Sequence, residues 1–328
     1  MPTLATLLDS DTLRAALALD RGYRSWRLAA RRLGGLGALT ATARAGGSTL
    51  ALLLESVEAG SGGSAGALRE RLGRCDPDDE RVSMEALGVA MVTFADGDYP
   101  PMLAACVDAP IALWMRGELL ASDAWSVAIV GARRASAYGI EQAGRFAAGV
   151  SASDVAVVSG AARGIDAEAH RGALRAEGRT IAVVGGGLRE PYPSEHIELL
   201  DEIVAGGGAV VSECPMMAAA TPDRFPSRNR IIAGLSLGTL VVEAAVRSGA
   251  ILTANLACEC NRLCMAVPGP VQSGRSAGCH LLIQSMQACL VEQPEDVLRH
   301  LVSHATTIEG AQLLSGAGID PPRALARE

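Results

Sequence analysis

The stretch "SVAIVGARRASAYGIEQAGRFAAGVSASDVAVVSG", residues 126–160, decides the fold class. Two near-continuous apolar runs each end on a glycine, Gly131 and Gly160, and between them "GIEQAGRFAAGVSAS" has the length and spacing of a crossover helix. Runs apolar at every position are the pattern of strands covered on both faces, and a strand, helix, strand succession makes the two strands parallel with a right-handed crossover. The pattern repeats. "LGVAMVTF" precedes it, and "TIAVVGGG", "AVVSE", "TLVVEA", "LCMAVPG" and "ACLVE" follow, separated by helical stretches such as "GIDAEAHRGALRAEG". The sequence therefore predicts an α/β domain with a doubly wound, mostly parallel sheet over residues 87–304.

Around that domain the composition changes. Residues 1–58 carry apolar residues at helical spacing and read as a small helical module, and "AGSGGSAGA" opens a Gly/Ser-rich linker and approach over 59–86. After the helical "QPEDVLRHLVSH", residues 305–328 read as a C-terminal tail with no winged helix. No run nears the ~18 apolar residues of a membrane span, and the N-terminus carries acids where a signal peptide carries cations, so a cytoplasmic protein is expected. The eight cysteines sit mostly in apolar segments, as reduced thiols do.

A formal net charge of −7 argues against coating nucleic acid with the whole surface, but leaves room for a local basic groove. All 29 basic residues are arginine, so any cationic contact to an anion is a planar guanidinium fork.

Ligands of doubly wound sheets bind beyond the carboxyl ends of the strands, at glycine turns and helix N-termini. Four segments fall there. "VAIVGARRASAYG" places Gly131, Arg133 and Arg134 after a strand; "VVSGAARGIDAEAH" places Ser159, Gly160 and Arg163 in a turn before the helix of Asp166; "VVEAAVRSGAILTANLA" places Ser248 and Gly249 before the helix of Thr253. Gly131, Ser159, Gly160, Ser248 and Gly249 are candidate anion-binding turns, with Asp166 read either as a helix-dipole acid or as part of a site. The fourth segment, "DRFPSRNRIIAGLS", reads as an arginine cluster at the ligand edge followed by a helix beginning near Ile231, with Phe225 either stacking on a base or anchoring the loop.

Several chemistries lack their signatures. The Gly131 turn does not have the G-x-G-x-x-G spacing, nor an acid about 20 residues on, that a nicotinamide cofactor requires. No G-x-S-x-G nucleophile elbow follows directly on a strand, H-E-x-x-H and a lysine-bearing phosphate loop do not occur, and the Cys258, Cys260, Cys264 spacing is not that of a zinc site. No catalytic residue, metal or cofactor is expected. Glycine turns, hydroxyls, arginines and one aromatic suit a phosphodiester backbone with an exposed base.

Taken in series, "GARRASAYG", "SGAARGIDAEAHRGAL", "AVVGGGLREPYP", "SECP", "FPSRNRIIAGLS", "VVEAAVRSGAILTA", "AVPGP" and "GCHLLIQ" resemble the DNA-processing protein A family (DprA/Smf), over about residues 87–300. The resemblance implies an extended Rossmann-like fold. It also implies a non-enzymatic, dimeric mediator that binds single-stranded DNA, protects it and helps load the RecA recombinase in natural transformation. Carried over by motif, the family's DNA contacts fall on Arg133, Arg163, Phe225, Arg228, Asn229 and Arg230. The chain departs from the family pattern at Ala132, Ser136 and His280 and in the "SMQA" of residues 285–288. "LGTLVVEA" invites a second reading, a Rossmann-like nucleotide phosphoribohydrolase, although the glycine run of that family's Pro-Gly-Gly-x-Gly-Thr turn is missing.

Overall fold

A computed structural model describes residues 77–93, 96–106, 108–110 and 112–307, with isolated positions beyond. The helical module expected at 1–58, the linker up to residue 76 and most of the 305–328 tail lie outside the described residues.

The alternation of strands and helices appears as the sequence predicts. The parallel body comprises β3 (Ser126–Val130), α3 (Ala137–Ser151), β4 (Ala156–Ser159), α4 (Ile165–Arg175), β5 (Thr180–Val183), α5 (Ile197–Ala205) and β6 (Ala209–Ser212). It continues through α6 (Arg224–Leu235), β7 (Gly238–Val241), α7 (Gly249–Glu259), β8 (Leu263–Ala266), α8 (Ala277–Gln284), β9 (Cys289–Leu290) and α9 (Pro294–Ala305). Before it come α1 (Pro77–Ala86), β1 (Val89–Thr93), α2 (Pro101–Ala104) and β2 (Ala112–Gly117).

Among the described residues the sheet has nine strands, in the order β1-β2-β6-β5-β4-β3-β7-β8-β9. From β3 the chain winds outward to β6 on one side, then returns and continues from β7 to β9 on the other. The switch point of the sheet therefore lies between β3 and β7, whose registers pair Val130 with Val241. Strand β3 shows why both faces are covered. Val127 and Ile129 pack with Phe146, Val150, Val297 and Leu301 on one face, while Ala128 and Val130 pack with Ile231, Ile232 and Ala254 on the other.

Three features differ from the sequence reading. The run at β1 was expected to be parallel, but β1 pairs antiparallel with β2, and β2 pairs antiparallel with β6. An unbroken apolar run reports burial, not direction. Strand β2 itself was not foreseen, because the charged "MRG" end shortens its apolar signal. Residues 77–86, assigned to the approach, form α1; the helix opens on a proline with Asp78, Asp79 and Glu80 in its first turn, residues that complement the helix dipole. Glu80 is buried and accepts from the Met216 amide at 2.8 Å, which ties α1 to the loop after β6.

Candidate nucleic-acid interface

At the switch point, the turn after β3 meets the turn after β7. The Ala132 amide donates to the Glu243 carbonyl at 2.7 Å. The Glu243 side chain, 2% exposed, accepts from the Ser136 amide at 3.1 Å and from the Ser136 hydroxyl at 2.6 Å. Ser136 in turn caps α3 by accepting from the Gly139 amide at 3.1 Å. A Cβ on Gly139 would lie 2.2 Å from Glu243 Oε2, so the glycine is what lets the carboxylate enter. The crevice where a doubly wound sheet would take a phosphate thus holds the chain's own carboxylate.

The neighbouring turn is organised in the same way. Asp166, in the first turn of α4, accepts from the amides of Gly131 and Ala162 and faces Arg228. Burial raises its carboxyl to about 6, against the pull of Arg228 and those two amides. The same burial draws the Arg228 guanidinium down to about 10, with Asp166 opposing the shift. Neither group is fully compensated by the other, so desolvation dominates at both ends of the pair. Arg228 donates to Gly160 O at 2.6 Å and to Val183 O. A Cβ on Gly160 would stand 2.3 Å from Arg228 Nη2 and 2.6 Å from Asp166 Oδ2. Ser159 is fully buried and donates to Ile129 O at 2.6 Å.

These contacts revise the reading of the arginine cluster. Helix α6 begins at Arg224, not near Ile231, so "SRNR" lies inside the helix. Arg228, Asn229 and Arg230 are all buried. Arg230 pairs with Glu213, and Asn229 donates to Gly249 O at 3.3 Å, which holds α6 against the start of α7. The amides of Gly131 and Ala162 serve Asp166, and Ser159 and Gly160 face inward. At the start of α7, the Ser248 hydroxyl is enclosed without a hydrogen-bond partner.

What remains open to solvent is a smaller cluster. Arg133 lies with its guanidinium carbon 4.8 Å from the centre of the Phe225 ring, is exposed, and forms no ion pair among the described residues. Phe225 meets the Tyr192 ring edge-on at 5.7 Å, and Tyr192 is 42% exposed. Arg163 lies 5.7 Å from the Tyr192 ring, donates to its hydroxyl at 3.2 Å and pairs with Glu195. The cluster is therefore one exposed ring and one half-buried ring flanked by two guanidiniums, resting on the buried Arg228, which lies 6.0 Å from the Phe225 ring.

Sequence reasoning nominated Arg133, Arg163 and Phe225, which the fold brings together, and missed Tyr192 and Glu195. The signal for Tyr192 was an aromatic between two prolines after a glycine run, "GGGLREPYP"; Glu195 had none. His280, at a departure from the family pattern, sits behind the last loop with Nε2 3.0 Å from Gly269 O.

The profile of the family described as DNA recombination-mediator protein A matches residues 90–302. The protein Smf of Escherichia coli is 45% identical over 203 residues, 62% of this chain and 54% of that protein. The DNA processing protein DprA of Streptococcus pneumoniae is 39% identical over 221 residues, 67% of this chain and 77% of that protein. Its X-ray structure superposes with a TM-score of 0.67 at 36% identity, over 75% of this chain and 84% of that one. The structure of the Helicobacter pylori DNA processing protein A, described for its unique single-stranded DNA binding mode, shares the fold at a TM-score of 0.58 and 24% identity, over 66% of this chain and 96% of that one. The match spans about half the length of the Escherichia coli protein. With the profile covering more than half of its length, the chain belongs to the DNA recombination-mediator protein A family.

Proposed function

We propose that this chain binds single-stranded DNA at the carboxyl edge of its sheet and acts there as a non-enzymatic recombination mediator. The observation that carries the reading is the cluster of exposed Arg133, Tyr192 and Arg163 around the half-buried Phe225, beside a crevice filled by Glu243. Aromatic faces accept any base, and guanidiniums meet the backbone phosphates, so such a surface suits an unpaired strand without sequence preference. The double variant Arg133→Ala, Arg163→Ala is expected to lose two phosphate contacts, reducing the log–log salt slope by roughly 1.4. An unchanged slope sinks the assignment.

The wider role follows from family membership. The chain would protect incoming DNA and help load RecA during natural transformation, in the cytoplasm. RecA ATP turnover on strands precoated with single-strand-binding protein tests it, since no stimulation by this chain rejects the role. A homodimer is part of the proposal: around the β9 edge Leu281, Met286 and Leu290 are exposed and offer an apolar face to a second copy. The nucleotide phosphoribohydrolase alternative requires a nucleotide phosphate at the β3–β7 crevice, where Glu243 sits. Free base released from a nucleoside monophosphate would restore that reading.

A further inference from the structure

The carboxyl edge of the sheet does not end at the aromatic cluster. Tyr192 follows β5, Arg163 follows β4 and Arg133 follows β3; the next strands along the same edge are β7 and β8. All five are parallel, so the loops that leave them open on one side of the sheet. Neighbouring strands lie about 4.8 Å apart, which puts the ends of β5 and β8 about 19 Å from one another.

The loops after β7 and β8 each carry an exposed arginine. Arg247 lies in the turn between Glu243 and α7, and among the described residues its side chain has no hydrogen bond or ion pair. Arg275 lies in the loop before α8 with its side chain 55% exposed. Its Nη1 donates to the carbonyl of Arg134, the neighbour of Arg133, and lies 3.9 Å from Glu243 Oε1. The loop itself is fastened to the body: Tyr138 of α3 donates to Pro268 O at 2.6 Å, and His280 Nε2 lies 3.0 Å from Gly269 O.

Arg275 thus joins the turn after β3 to the loop after β8 at the mouth of the crevice that Glu243 fills. A guanidinium offers five N–H donors, and among the described residues its Nε and Nη2 make no hydrogen bond. Glu243 is 2% exposed, so a phosphate passing over the switch point meets the Arg275 cation before the carboxylate behind it. In a chain of net charge −7, a row of cations along one edge is what guides a polyanion to that edge.

We propose that Arg247 and Arg275 carry the strand across the switch point, making the interface one track from the end of β5 to the end of β8. The inference rests on the assignment of single-stranded DNA to this edge, and adds two phosphate contacts to those of Arg133 and Arg163. A guanidinium fork pairs with a phosphate whatever the base, so the added contacts lengthen the site without giving it sequence preference.

Thymidine oligonucleotides of increasing length, bound to the full chain across a salt series, test the track. In the parent the log–log slope should steepen with length to a plateau once the track is filled. The double variant Arg247→Gln, Arg275→Gln should reach a plateau shallower by about 1.4, roughly 0.7 for each lost contact. Arg275→Gln retains an N–H for the Arg134 carbonyl, and Arg275→Lys retains the charge; the slope should fall in the first and hold in the second. Should Arg275→Gln not fold, Arg247→Gln carries the test alone, with a loss of about 0.7. A parental plateau in the double variant, while Arg133→Ala, Arg163→Ala still loses slope, overturns the track and leaves the aromatic cluster as the whole interface. Equal losses in Arg275→Gln and Arg275→Lys overturn the phosphate contact in favour of a structural role. A parent that binds none of the oligonucleotides overturns both the track and the assignment beneath it.

Discussion

Replacing Arg228 by alanine distinguishes an arginine that builds the site from one that touches the ligand. The guanidinium donates to Gly160 O at 2.6 Å, to Val183 O, and through Nε to Asn229 Oδ1 at 3.2 Å, and it faces the buried Asp166. Truncation leaves two carbonyls without their donor and one carboxyl without its counter-charge. Breaking a buried pair in this way costs about 3–5 kcal/mol. Asp166 limits its own share by taking up a proton. With Arg228 present its pKa is about 6; fully neutral in the variant, it would cost at pH 7 about 1.4 kcal/mol more than in the parent, the equivalent of one pKa unit. At pH 5 it is already protonated in both proteins, so that part vanishes and the deficit of the variant shrinks by about 1.4 kcal/mol. Urea unfolding followed by far-ultraviolet circular dichroism at pH 7 and pH 5 measures both quantities. A variant within about 0.5 kcal/mol of the parent at both pH values, the range of an ordinary surface substitution, would refute the reasoning and return Arg228 to the list of direct DNA contacts.

Three further outcomes are expected. Phe225→Ala should lose about 1–3 kcal/mol of affinity for an oligonucleotide, as a lost base stack does, and a change confined to the urea midpoint would make Phe225 a packing anchor of the α6 start instead. Asp166→Asn should remove a pH dependence. With its folded pKa raised from 3.8 to about 6, the folded chain holds the extra proton in that window, so the Asp166 contribution is complete below pH 4 and is lost as pH rises through 6. The parent should therefore lose about 3 kcal/mol relative to the variant across that interval, and parallel pH profiles would rule this out. Leu281→Glu should halve the mass seen by sedimentation velocity if the β9 edge pairs two copies; a monomeric parent ends that part of the account.

The doubly wound body was legible because apolar runs ending in glycine report two-faced burial and a turn at once. The positions of Gly131, Gly160 and Gly249 at the strand-to-helix turns followed from the same pattern. The burial of "RNR" was not legible. Arginine is usually exposed, and the carbonyls that receive Arg228 lie 68 and 45 residues away in the chain. Tyr192 was missed for a related reason: its partner Phe225 joins it only once β5 and α6 are in place. The antiparallel entry through β1 and β2 escaped because hydrophobic pattern carries no strand direction.

The central claim is that an unpaired strand is held by two aromatic faces and the guanidiniums of Arg133 and Arg163. The most direct test is a binding comparison of one labelled oligonucleotide, single-stranded and annealed to its complement, across a salt series. The account predicts tighter binding of the single strand, with a log–log salt slope of about −0.7 for each phosphate contact. Equal affinity for the duplex, or binding indifferent to salt, would contradict it.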